Sequence, residues 1–148
     1  MGPYVAQAPT QYEGSKAGEA LEPWRAIDLD SGVYADAYAP GIRYGIVQRR
    51  VAADENVNCA VDGTLAAESG AATGINSLDN GVGAEPRYIR DPAGTDKYLK
   101  LVTDGRFDVA TTGETAIAVA LDGQWAAPTS DGIQLLEIAF LKEAFVVP

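Results

Sequence analysis

The sequence predicts a mostly β protein, a small barrel or sandwich built from two similar β-units and carrying an extended N-terminal arm. Three observations predict it. Short apolar runs alternate with period two and recur about every ten residues, which marks strands rather than helices. Gly-containing turn dipeptides, among them Pro40-Gly41, Asp62-Gly63, Asp104-Gly105 and Asp122-Gly123, punctuate those runs. No stretch carries a sustained 3.6-residue apolar stripe.

Residues 1–23 hold Pro3, Pro9 and Pro23, three glycines and no sustained period. They read as an arm outside the packed body, with a reach of about 70 Å if fully extended. Tyr4, Val5 and Tyr12 distinguish the arm from an ordinary polar tail. Two readings stand: a frayed terminus, or a segment that orders on a partner by adding a strand to its sheet.

Residues 24–148 read as a single β-rich domain. In Arg25–Asp30, Ile27 and Leu29 share one face and Asp28 and Asp30 the other, and Ser31-Gly32 turns the chain. Val33–Ala39 and Ile42–Val51 are the next strands. Asn56–Asp62 alternates most cleanly, with Val57, Cys59 and Val61 on one face; Asp62-Gly63 predicts a hairpin and Thr64–Glu68 its return strand. Residues 69–96 are rich in Gly, Asn, Asp and Ser and read as a long loop, with an insertion at about 73–96. Order resumes at Lys97, and Asp104-Gly105 predicts a second hairpin into Phe107–Ala110. Thr115–Leu121 sets alanines opposite Ile117, Val119 and Leu121, which suits close packing. Ile133–Leu141 is the last long strand, with a bulge expected at Leu135-Leu136. Phe145-Val146-Val147-Pro148 forms an apolar tail. The run from Arg25 to Gly63 resembles the run from Leu99 to Leu141 in its series of strand, acidic-Gly turn and Ile-Val strand, which predicts the two related units.

Composition narrows function. The 148 residues suffice for one domain, which at this size buries roughly 68–70% of its unfolded surface. The single cysteine, Cys59, cannot form an internal disulfide and reads as a small core residue. There are no histidines, so Ser-His and Cys-His couples and His-ligated zinc are absent. A net charge of −10, from 21 acids against 11 bases, disfavours nucleic acid and anionic membrane as partners. Neither a secretory signal nor a run long enough to span a bilayer is expected.

Motifs for chemistry fail when tested. Gly81-Val82-Gly83 lacks its third glycine, since Pro86 stands there, and Gly-Lys-Ser/Thr does not occur. Asp28-Leu29-Asp30-Ser31-Gly32 starts like a calcium loop, but Val33 replaces the needed glycine and Ala39 the final glutamate. Nothing singles out a carboxylate pair, so acids read as a solvated surface. Trp24 and Trp125 either cap the core or anchor an interface. Tyr34, Tyr38 and Tyr44 read as sheet-face packing ahead of sugar stacking. No catalytic residue, metal or cofactor is expected.

Taken in order, ALEPWRAIDLDSG, GIRYGIVQ, ADENVNCAVDGTL, LKLVTDGRFDVATTGETAIAVALD and GIQLLEIAFL resemble the capsid decoration (cement) proteins of tailed bacteriophages. The likeness covers roughly residues 18–72 and 97–142. It implies a β-rich body of tulip or barrel type, made in the host cytoplasm and seated as a homotrimer on the outer capsid surface of the virion. It also implies an arm reaching over the major capsid protein. Pro3, Tyr4, Val5, Pro9 and Tyr12 are then the first candidates for contact with capsid or neighbouring subunits. The 73–96 loop comes second, and Phe145, Val146 and Val147 of the tail come last. A longer 73–96 segment and the apolar tail depart from the family pattern. Another virion β-module, of tail or fibre, and a carbohydrate-binding β-domain are the alternatives; a carboxylate-based hydrolase ranks below them.

Overall fold

The computed structural model describes residues 8–68, 98–120 and 135–148. Nine strands cover most of them: β1 (Ala8–Lys16), β2 (Ala26–Asp28), β3 (Val33–Tyr34), β4 (Tyr44–Val47), β5 (Asn56–Glu68), β6 (Tyr98–Val102), β7 (Arg106–Val109), β8 (Thr115–Ala120) and β9 (Leu135–Val146). Eight form one curled antiparallel row in the order β3-β2-β4-β5-β9-β8-β6-β7, and β1 joins the side of β5. The mostly β, barrel-like architecture expected from the turn spacing is therefore present.

The order is a palindrome of two units. In the first, β2 and β3 form a hairpin, β4 pairs with the other side of β2, and β5 lies beyond β4. In the second, β6 and β7 form a hairpin, β8 pairs with the other side of β6, and β9 lies beyond β8. The β5–β9 pairing, Leu65 opposite Ile138 through Glu68 opposite Leu135, joins the units. The sequence likeness between the two halves thus corresponds to a repeated strand order.

The main core lies between the units. Ile46, Leu65, Leu99, Phe107 and Ile138 are fully buried there, together with a set of alanines that includes Ala26, Ala60, Ala67 and Ala118. Small side chains let the two sheet faces approach closely. A second cluster lies on the other face of the first unit, where Ile27, Leu29, Val47, Val57 and Cys59 pack under Ala17 and Leu21. Burial among these carbons pushes the Cys59 thiol up to about 12.

The segment read as an arm is largely part of the body. Ala8–Lys16 pairs with β5 from Thr64 back to Asn56, and Ala17 and Leu21 are buried. The alternation in β1 is weak because it lies at a sheet edge, where Pro9 and Gly14 are tolerated and one face is exposed.

Asp62-Gly63 does not make a hairpin. β5 runs straight through it, and Gly63 takes φ +95° within the strand. The β1 register slips twice opposite this point, between Pro9 and Tyr12. A positive-φ glycine serves a bulge as readily as a turn. At Asp104-Gly105 the expected hairpin does form, with both residues left-handed at φ +62° and +73°. Two further expectations shift. β3 has only two residues, and β9 extends through Val146. The β8–β9 irregularity falls between Phe140 and Phe145, opposite Ala116 and Ala118; Leu135 and Leu136 pair regularly with Glu68 and Ala67.

The hairpin tip at Gly105 touches the first unit. Its N–H donates to the Ala35 carbonyl at 3.0 Å, and Asp104 N–H donates to Asp36 Oδ1 at 2.9 Å. A Cβ on Gly105 would stand 2.2 Å from the Ala26 carbonyl oxygen. Gly105→Ala is expected to cost about 2–4 kcal/mol, combining a left-handed backbone with a backbone clash. Urea unfolding checks this, and a loss below about 1 kcal/mol would contradict the close seam. Cys59 is expected to ignore an aromatic disulfide reagent in the native protein and to react once the chain is unfolded; rapid native labelling would disprove its burial.

Candidate interaction surfaces

The residues singled out from the sequence separate in the structure. Pro3, Tyr4 and Val5 lie outside the described residues, as do the 73–96 loop and Trp125. Pro9 is in β1 opposite Gly63. Tyr12 lies opposite Ala60, and its side chain is among the few large apolar ones exposed, at 48%. Tyr12, Gly14 and Lys16 form the exposed face of β1, while Glu13 and Ser15 turn toward the Val57–Cys59 face.

The apolar tail is docked on the chain itself. Val147 is 1% exposed against Ala110 and Ala116. Its N–H donates to the Glu114 carbonyl, and its carbonyl accepts from Gly113 N–H, both at 2.9 Å. Phe145 packs edge-on against Tyr98 with ring centroids 4.6 Å apart. Of the three tail candidates, only Val146 is presented outward, at 60%.

The three tyrosines do not form one platform. Tyr34 accepts a hydrogen bond from Glu22 N–H at 2.7 Å and lies under the Arg25 guanidinium. Tyr44 accepts from Ala39 N–H at 2.9 Å, and partial burial raises its phenol above the ordinary value. Tyr38 is exposed at the rim of a cleft of about 690 Å³ between the first unit and the irregular part of β9. Leu29, Val61, Ile117 and Phe140 line that cleft beside Glu13 and Arg43. Arg43 bridges Glu13 at 2.6 Å and Asp30 at 3.0 Å, so its charge is already matched by two carboxylates. In the sequence that opens like a calcium loop, Asp28 Oδ1 instead accepts from Asp30 N–H at 2.8 Å and closes a tight turn.

Two ion-pair groups were not foreseen from sequence, because each draws its members from separate elements. Lys100 on β6 pairs with Glu114 in the turn before β8. Thr111 N–H and Oγ1 also donate to Glu114 Oε1, at 2.8 and 2.7 Å. These contacts hold the Glu114 carboxyl down to about 2. The other group gathers Arg25 from the start of β2, Glu68 from the end of β5 and Arg106 from the start of β7. Among the described residues no cluster of three acidic or sulfur ligands could hold a metal ion.

No protein-family model matches the chain, and no curated protein matches it.

The Glu114 contacts set a pH dependence. The folded carboxyl titrates below its ordinary 4.5, so its contribution is complete above that value and fades as pH falls toward about 2. Stability measured by urea unfolding is expected to drop across that window and to drop less in Glu114→Gln. Parallel curves for the two proteins would remove Glu114 from the acid response.

Proposed function

We propose that this chain is a structural virion protein that binds the outer surface of a tailed-phage capsid as a homotrimer and stabilises the expanded shell. The observation that carries the reading is the ordered series of motifs that resembles the decoration proteins. That series falls on the strand framework of the body: IDLDSG on β2 and its turn, RYGIV on β4, NVNCAVDGTL on β5, LKLVTDGRFDV on β6 and β7, and TAIAVA on β8.

Such a role needs buried surface and no chemistry. An interface of roughly 1,600 Å² gives specific binding. Three copies on one axis engage together, so individually weak contacts gain avidity. Binding to the expanded shell alone would stabilise that state by mass action. Exposed Tyr12 on β1 and exposed Val146 on β9, with Tyr38, are the large apolar side chains exposed among the described residues. A second reading, a carbohydrate-binding domain, draws on one feature: Tyr38 stands exposed beside polar Glu13 and Asp62 at the cleft.

The test mixes purified protein with undecorated shells before and after expansion and sediments them. Co-sedimentation with expanded shells is expected, and its failure sinks the capsid reading; a strong specific hit on a glycan array would favour the second. A variant lacking residues 1–7 keeps all of β1. It is expected to fold as the full chain does and to bind shells about 10- to 100-fold more weakly, roughly 1.4–2.8 kcal/mol. Unchanged binding would remove Pro3, Tyr4 and Val5 from the contact.

A further inference from the structure

The Arg25–Glu68–Arg106 group is out of balance. Arg106 Nε donates to Glu68 Oε1 at 3.1 Å, and Arg25 Nε approaches the same oxygen at 3.5 Å. Among the described residues, two cations therefore share one carboxylate and leave one positive charge over, in a chain of net charge −10. The contrast with Arg43, one cation held by two carboxylates, shows that acids are available to quench arginines elsewhere.

The pair is also largely withdrawn from water. The side chains of Arg25, Arg106 and Glu68 are 16%, 21% and 19% exposed. Arg25 Nε is buried without a hydrogen-bond acceptor. A charge held this way is unfavourable unless something completes its pairing. Each guanidinium has five N–H donors in a rigid fork. Glu68 Oε1 takes one from Arg106 and none in good geometry from Arg25.

The arrangement is held before any ligand arrives. The Tyr34 ring lies 5.3 Å beneath the Arg25 guanidinium, and Tyr34 Oη is fixed by Glu22 N–H. Glu68 N–H donates to the Trp24 carbonyl at 2.8 Å, which ties the end of β5 to the residue before Arg25. Arg106 follows Gly105, whose contact with the first unit sets where β7 begins. The guanidiniums thus stand side by side at the seam of the units, on backbone fixed from both sides.

We infer that Arg25 and Arg106 form a binding site for a single oxyanion group, a carboxylate or a phosphate. The ligand completes the charge balance that Glu68 leaves open and accepts from the remaining guanidinium donors. The site does not depend on the capsid reading; under that reading it would receive an acidic group of the partner protein.

The test uses the full chain and follows the arginine Nε–H signals by nuclear magnetic resonance. Sodium acetate and sodium phosphate are titrated separately, against sodium chloride at matched ionic strength. Saturable shifts of the Arg25 and Arg106 signals are expected, with half-saturation on the order of millimolar, as suits one charge-assisted contact. Saturation by acetate as tight as by phosphate assigns a carboxylate, and saturation by phosphate alone assigns a phosphate. Arg106→Gln should weaken the effect at Arg25 at least tenfold. Arg106→Lys keeps the charge and loses the fork, so it should bind several-fold more weakly and serves if the glutamine variant fails to fold. Shifts that never saturate, or that chloride reproduces, overturn the site, as does undiminished binding in a folded Arg106 variant.

Discussion

Everything in this fold depends on β5 serving two partners along one side. Its first half pairs with β1 there and its last four residues pair with β9, while β4 holds the other side of the first half. One unbroken strand therefore belongs to both units. Gly63 makes that possible, because a left-handed residue inside a strand re-aims the chain without ending it. A residue with a Cβ at that position would either strain the strand or break the join.

The seam built around β5 accounts for the distribution of residue sizes. Where the units face each other, the buried positions mix branched or aromatic chains with alanines. Backbone groups then come into direct contact, as Gly105 does with Ala26 and Ala35. Polar groups follow at the edge of that contact. The guanidiniums of Arg25 and Arg106 meet over Glu68 because the strand ends that carry them meet.

How much of this was legible in the sequence depended on whether the signal was local. Val57, Cys59 and Val61 alternate plainly, and the structure puts Val57 and Cys59 in one buried cluster with Val61 packed against it. The strand-turn-strand likeness of the two halves was readable, since each unit repeats the same local chemistry. The two Asp-Gly pairs show the boundary. The dipeptide states that a left-handed residue is affordable and says nothing of where the chain goes next. At Gly105 the chain reverses against the other unit; at Gly63 it continues beside Pro9. β1 was missed because an edge strand needs no clean period, and Val147 because its burial depends on the distant Ala110 and Ala116. Tyr12 and Val146, named from the sequence among the contact candidates, are exposed, whereas Arg25, Glu68 and Arg106 carry no shared sequence signature at all.

The palindromic strand order also has a consequence for synthesis. β1 precedes the other described strands in chain order, yet its partner among them is β5, and the far end of β5 waits for β9, the last of the described strands. The first unit can pair β2, β3 and β4 as they emerge, but residues 65–68 keep an open hydrogen-bonding edge until β9 has been made. Such long-range pairing is slow, and an open edge is the usual site of wrong partnership. Where many copies are made at once, a neighbour that has already made its β9 can offer it to a chain that still lacks its own.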